Sequence, residues 1–354
     1  MGDRVAGRVV EHVGHPHAPV TRVTLDDATT VIVKRRRVDR DEEGYGGPSH
    51  HRREQVGLRL ASDSGVTPRF YAGDWAAGVV VMEDVGDHPM LIDVLLGDDR
   101  DAAVAAFVGL GRAAGRLHAA TRDVEAEYDD AMRALGAEDV ARERLGMWPG
   151  VERWDRVEQD ALALQLPDAR VARADIENVK ARLLAPSPFG ALIHLDLNPT
   201  NVMVCPDGVR LVDLEGATFG FPWWDASFLH FPFPNYSPHW STVPDDVVAL
   251  ADAAYRDALG ADVDHDELLA FGATAALAIR LHRLPKLAAD EPPSHERWRR
   301  RAQLVQHIGV FVRLCERGDC LPLLRAWCAE LAEAMCARWE DAATPPPSAF
   351  PAFR

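Results

Sequence analysis

One stretch constrains this chain more than any other. It is Ile193-His194-Leu195-Asp196-Leu197-Asn198-Pro199-Thr200-Asn201, followed after a short gap by Asp213-Leu214-Glu215. The pattern is H-x-D-x-x-x-x-N, then D-x-E. Between the two, Val202-Met203-Val204-Cys205 and Val209-Arg210-Leu211-Val212 are β-rich runs around Pro206-Asp207-Gly208, which predicts a hairpin. Pairing Cys205 with Val209 sets Asn201 opposite Asp213, roughly 5 Å apart at Cβ. A two-residue Asp-Gly turn shifts the partner by one. Either register brings an amide and a carboxylate to one end of the hairpin, where a cation could bridge them. Transfer of a phosphoryl group asks for a carboxylate at the attacking hydroxyl and oxygen ligands for Mg²⁺ on the phosphates. Asp196 suits the first task, and Asn201 and Asp213 suit the second.

The totals leave room for that chemistry and exclude other classes. A chain of 354 residues holds two modest lobes or domains. Its 47% hydrophobic and 27% charged content is that of a soluble globular protein. No apolar run approaches the roughly 20 residues of a membrane span. Met1-Gly2-Asp3-Arg4 has no apolar core behind it, so no secretory signal is expected, and Ala6 breaks a myristoylation motif. Five cysteines, an odd number without a C-x-x-C pair, read as reduced packing residues of a cytoplasmic protein. A net charge of −16 argues against a general nucleic-acid binder. No repeat is visible, and nothing sets the oligomeric state.

A third motif follows the first two: Gly220-Phe221-Pro222-Trp223-Trp224-Asp225, or G-x-P-x-x-D. Together the three resemble the aminoglycoside phosphotransferase and choline kinase family, the protein-kinase-like small-molecule phosphotransferases. Three ordered motifs within about thirty residues make a specific signal. The plainer alternative is a polar loop and turn in an ordinary α+β protein. The resemblance implies a two-lobed, protein-kinase-like α+β fold. Residues 1–84 would form a small β-rich, nucleotide-binding N-lobe, and 85–354 a helical C-lobe with the catalytic loop and acceptor site. It implies Mg²⁺-dependent transfer of the γ-phosphoryl of ATP, with GTP not excluded, to a hydroxyl of a small molecule. Asp196 would take the hydroxyl proton, Asn201 and Asp213 would bind the metal, and Glu215 would help. His194 would support the loop by hydrogen bonding. Asp225 would anchor the loop backbone, or simply cap a helix. Leu195 replaces the arginine with which protein kinases sense activation-loop phosphate, which favours a small-molecule acceptor.

The rest of the chain fits around these motifs. Gly7 to Val13 reads as a strand, then Gly14 to Pro19 as a turn-rich loop. In a kinase-like arrangement that loop lies over the phosphates, with Gly14 among its backbone contacts; an ordinary hairpin loop fits equally well. Val20 to Leu25 and Thr30 to Lys34 form a second hairpin. Val31-Ile32-Val33-Lys34 matches the V-A-I-K strand, so Lys34 is a candidate phosphate contact, or else an exposed lysine heading Arg35-Arg36-Arg37. Glu54, on a helix predicted over His51 to Ala61, is the family-like partner of Lys34, or a solvated helix residue. Pro68 to Gly73 and Gly78 to Glu83 read as strands. Met82-Glu83-Asp84-Val85-Gly86 resembles the hinge, whose backbone, Glu83 included, would bind the adenine edge.

From Asp98 the pattern turns helical, with Val104, Phe107, Leu110, Ala114 and Leu117 at helical spacing. His118 ends that helix as a structural residue. Residues 123–184, 245–283 and 296–341 are again helix-rich. Four prolines forbid a regular helix in Phe228 to Pro244. Its rings at Phe231, Phe233, Tyr236 and Trp240 either wall an acceptor or pack inward.

Charge suggests what that acceptor is. Residues 1–85 carry 12 Lys+Arg against 13 Asp+Glu, whereas the remainder carries 27 against 42. An acidic C-terminal part attracts cations, so an aminoglycoside-like amino sugar leads. A choline-like, nucleoside or macrolide acceptor, or a non-catalytic nucleotide-binding scaffold, are the rivals.

Overall fold

A computed structural model of the chain describes residues 7–12, 20–36, 47–141, 144, 151, 153–184, 189–231, 241–289, 295–343 and 350–354. The β-branched runs of the N-terminal part pair into one antiparallel sheet. Its strands are β1 (Gly7–His12), β2 (Val20–Leu25), β3 (Thr30–Arg35), β4 (Phe70–Asp74) and β5 (Val79–Glu83), in the order β1-β2-β3-β5-β4. Lys34 pairs with Val20 on one side and Val80 on the other; Ile32 pairs with Arg22 and Met82. Directly paired residues share a face, and so do residues two apart. Val20, Arg22, Ile32, Lys34, Val80 and Met82 therefore line one face of the sheet.

Helix α1 (Pro48–Ala61) crosses between β3 and β4, starting with a proline where the missing N–H is no loss. It docks through Gly57, where an added Cβ would lie 2.9 Å from the Cβ of Ala217 and 3.4 Å from Leu214. Glu54, three residues earlier, sits on that same face.

Beyond β5 the chain is mostly helical: α2 (Leu91–Leu96), α3 (Arg100–Ala120), α4 (Glu125–Ala134), α5 (Trp154–Ala163) and α6 (Arg173–Leu184) precede the motif region. After it come α7 (Trp223–Ser227), α8 (Asp245–Leu259), α9 (His265–Leu281), α10 (Leu284–Ala288), α11 (His295–Arg317), α12 (Pro322–Arg338) and α13 (Glu340–Ala343). Gly111 and Gly115 let α3 lie directly on α8, because a Cβ there would stand 2.1 Å from the Ala251 carbonyl oxygen and 2.5 Å from that of Tyr255. Helix α9 is buried along nearly its whole length, and buried residues of both regions form one continuous hydrophobic core. The result is a two-lobed α+β fold. No described helix is long and apolar enough to cross a membrane, and all five cysteines are free thiols.

Two small sheets carry the motifs. Strand β6 (Ala191–Ile193) pairs antiparallel with β9 (Thr218–Gly220), and β7 (Val202–Cys205) with β8 (Gly208–Leu211). The hairpin register differs from both registers expected of the sequence. Cys205 pairs with Gly208, and the Val212 N–H donates to the Asn201 carbonyl at 2.9 Å. Pro206-Asp207 forms the turn and Gly208, at φ +135°, joins the strand. Only glycine adopts that backbone freely. Asn201 thus faces Val212, and Asp213 lies one residue past the pair.

Candidate active site

Strand β3 brings Lys34 to three carboxylates. Its Nζ lies 2.8 Å from Glu54 on α1, 2.5 Å from Asp213 and 3.5 Å from Glu215. Asp213 holds a left-handed backbone, φ 65°, at the entry to the 3-10 turn Leu214–Gly216. That turn packs against α1, so Glu54, Asp213 and Glu215 converge, with carboxylate oxygens within 4.8 Å of one another. One ammonium among three carboxylates leaves an excess of negative charge, and the groups respond accordingly. Burial pushes the Glu54 carboxyl up to about 7, with Asp213 and Glu215 adding to the rise against Lys34. Burial also works to raise Asp213, but Lys34 outweighs it and holds that carboxyl below its ordinary value. Burial works to lower Lys34, and Glu54, Asp213 and Glu215 together hold it well above its usual range.

The loop after β6 presents Asp196. Leu195 takes a left-handed backbone, φ 66°, and turns the chain there. Asp225, fully buried at the start of α7, accepts the N–H of His194 at 2.6 Å and of Leu195 at 2.9 Å. These bonds tie Asp225 to the backbone of the loop, whereas the helix N-cap position belongs to Pro222. His118 on α3 supports Asp225 from behind at 3.2 Å and touches the Tyr255 hydroxyl at 3.0 Å. His194 lies 2.9 Å from the Val212 carbonyl through Nε2, and its Nδ1 accepts the Asp196 N–H at 3.3 Å. These two bonds fit the tautomer protonated at Nε2, and they tie the loop to the end of β8.

Asp196 itself accepts hydrogen bonds from the side-chain amides of Asn201, at 3.0 Å, and Asn198. The Asn201 Nδ2 also reaches the Asp196 carbonyl at 3.0 Å. With Nδ2 so committed, Oδ1 is the atom of Asn201 that would face a cation. Burial raises the Asp196 carboxyl and the Asp213 charge raises it further, with His194, Asn201 and Asn198 opposing. Asn198 escaped the sequence argument because it falls on an unspecified position of H-x-D-x-x-x-x-N; its distance of two residues from Asp196 was the available signal.

Glu83 ends β5; its N–H donates to the Arg69 carbonyl at 2.8 Å, and its side chain accepts the Arg69 N–H at 3.0 Å. Phe231 is 2% exposed, with the Arg280 guanidinium 5.0 Å and the His307 ring 5.3 Å from its centroid, so it packs inward. Gly14, Phe233, Tyr236 and Trp240 lie outside the described residues. The hard oxygen set of Asn201, Asp213 and Glu215 fits Mg²⁺ in donor chemistry.

The profile of one family, described as the Phosphotransferase enzyme family, matches residues 18–271, which spans β2 to β5, α1 and all three motifs. The chain belongs to the phosphotransferase enzyme family. No curated protein matches it closely. Among solved structures, it is similar to a Ralstonia eutropha protein assigned as an aminoglycoside phosphotransferase: TM-score 0.50, 15% identity, covering 93% of this chain and 94% of that one. It is also similar to the choline kinase of Cryptosporidium parvum: TM-score 0.50, 12% identity, covering 92% and 94%. Choline kinase of Streptococcus pneumoniae follows at TM-score 0.47 and 15% identity, covering 87% and 94%. At these identities the likeness is one of fold: the phosphotransferase has a kinase-like, two-lobed architecture.

Proposed function

We propose that this phosphotransferase moves the γ-phosphoryl of ATP, with Mg²⁺, to a hydroxyl of a small cationic acceptor, an aminoglycoside-like amino sugar being the leading case. The observation that carries the reaction is the convergence of Lys34, Glu54 and Asp213 beside a loop that presents Asp196 between two side-chain amides. Lys34, aimed by Glu54, contacts the phosphates as a point charge. Asn201 and Asp213 hold Mg²⁺, with Glu215 assisting. When bound there, the ion would supply positive charge at the phosphate oxygens. Asp196 orients the acceptor hydroxyl and takes its proton as the new O–P bond forms and the bond to ADP breaks. The buried setting that raises the Asp196 carboxyl makes it a better proton acceptor than a solvated carboxylate.

The acceptor class rests on charge. The 15 excess acidic residues beyond Val85 favour an amine-bearing acceptor. The test is ADP release by the full chain over amino sugars, choline analogues, nucleosides and macrolides, with and without Mg²⁺, at low and high salt. Mg²⁺-dependent release with an amine-bearing acceptor, and a KM that rises with salt, is the expected result. A preferred acceptor without an amine and with a salt-indifferent KM rejects the cationic class. Absence of nucleotide binding rejects the kinase reading itself.

A further inference from the structure

Arg22 is a second charged residue on the sheet face that carries Lys34, and nothing in the phosphate site accounts for it. Its Nε donates to Asp84 at 2.6 Å and its NH2 to the other Asp84 oxygen at 3.1 Å. The same guanidinium reaches Asp87 at 2.8 and 3.3 Å. Asp84 is the first residue beyond β5. It also accepts the Gly86 N–H at 3.0 Å. The Arg22 side chain therefore leaves β2, crosses the face past β3 and ends at the segment that links the two lobes. Strand spacing is about 4.8 Å, so this crossing spans two strands. The side chains are 12% and 4% exposed, and two bonds to one carboxylate fix the guanidinium plane.

Position decides what such a plane serves. Along β3 the shared face runs Thr30, Ile32, Lys34. Val31 pairs with Glu83, so Asp84 lies beside Thr30 at one end, and Lys34 meets Asp213 at the other. Four residues of strand cover about 13 Å, comparable with the separation of base and terminal phosphate in an extended nucleoside triphosphate. With the phosphates at Lys34, the base falls at the Thr30 end of that face, beneath the Arg22 guanidinium that Asp84 holds.

We propose that Arg22, held flat by Asp84 and Asp87, is the platform on which the nucleotide base stacks. The inference rests on the nucleotide-binding reading above. A guanidinium stacks on aromatic faces and is more weakly hydrated than an ammonium. The two carboxylates neutralise it and immobilise its rotamers before the ligand arrives, which lowers the entropy loss on binding. Stacking reads a π-face that adenine and guanine share, so the platform is tolerant of base identity. The rival role for the same contacts is a strut that joins β2 to the interlobe segment.

Two variants of the full chain separate the platform from the strut. Arg22→Lys retains a cation for Asp84 but lacks the plane; Arg22→Ala removes both. Titration calorimetry with AMP, ADP, ATP and GTP gives affinities, and thermal melts give stability. The platform predicts that Arg22→Lys keeps the wild-type Tm and weakens all four nucleotides by a common factor of about ten. Lys34→Ala, by contrast, spares AMP and weakens ATP. Wild-type affinities in Arg22→Lys overturn the inference. So does a loss of affinity that appears only together with a lowered Tm in both variants. A wild-type chain that binds none of the nucleotides overturns the proposed function along with it.

Discussion

The Nζ of Lys34 lies 2.5 Å from an Asp213 carboxylate oxygen, although 179 residues separate the two in sequence. This contact joins the sheet to the motif region, and Glu54 completes it from α1 at 2.8 Å. In the proposed reaction the ammonium and the metal draw on the same carboxylates. Binding of Mg²⁺ and phosphates would then draw Asp213 towards the ion and Lys34 towards the phosphates, with Glu54 keeping its hold on the lysine.

Asp196→Asn keeps the size of the side chain but removes the proton acceptor. Turnover should fall by about 10²–10⁴-fold, the usual contribution of a general base, while nucleotide affinity stays near wild type. Unchanged turnover with an identified acceptor would place the base elsewhere.

Asp213→Ala removes a charged metal ligand and a partner of Lys34, so Mg²⁺-nucleotide binding and activity should disappear together. Asn201→Ala removes a neutral oxygen and one of the donors to Asp196, and should raise the Mg²⁺ concentration needed for half-activity with a smaller loss. Activity measured across a Mg²⁺ series distinguishes the two. An Asp213→Ala variant with the wild-type Mg²⁺ response moves the metal site.

Glu54 makes stability depend on pH in an unusual direction. Burial raises its folded-state value from 4.5 to about 7. Between those values the folded chain holds more protons than the unfolded one, so stability falls as pH rises. The contribution is fully present below about 4.5 and lost through about 7. Glu54→Gln cannot titrate. The Tm of wild type minus that of the variant should therefore shrink from pH 4.5 to pH 8. A difference that is flat over the range shows that Glu54 titrates at its ordinary value.

Asp225→Ala strips the His194 and Leu195 N–H groups of their buried acceptor. Unsatisfied buried donors cost about 1–3 kcal/mol each. The variant should melt earlier, and its kcat should fall more than its nucleotide affinity, because the loop that presents Asp196 loses its anchor. A lowered Tm with unaltered kcat would make Asp225 a stability residue alone.

Gly57→Val drives new atoms into Ala217 and Leu214. Overpacking of this kind costs about 1–3 kcal/mol. The displacement also separates Glu54 from Lys34, so the KM for ATP should rise in parallel with the fall in Tm. A variant of wild-type KM would show that α1 can shift without disturbing the pair.

Much of this arrangement was written in local sequence. The alternating runs of β2, β3 and β5, the helix over α1 and the β7–β8 hairpin follow from side-chain period and turn residues, which act over a few positions. The spacing from His194 to Asn201 likewise specifies a loop in which Asn201 returns to Asp196. Family membership was readable for the same reason: three short motifs each carry their own chemistry.

Tertiary structure decided the rest. The hairpin register turned on Gly208 entering the strand at φ +135°, a choice among turns of similar local energy. Leu195 and Asp213 adopt left-handed backbones, which a leucine disfavours and an aspartate tolerates better. Asp225 holds Leu195 through its N–H, while Asp213 is held by its contact with Lys34. Phe231 packs inward because Arg280 and His307, from α9 and α11, converge on it. Arg22 on β2 and Asp84 beyond β5 stand 62 residues apart in sequence, and only sheet order brings them together. Local propensity acts through neighbours in the chain, whereas burial and charge pairing act through neighbours in space. The sequence could therefore name the groups of the site, and only the packed core could bring Lys34, Glu54 and Asp213 within bonding distance of one another.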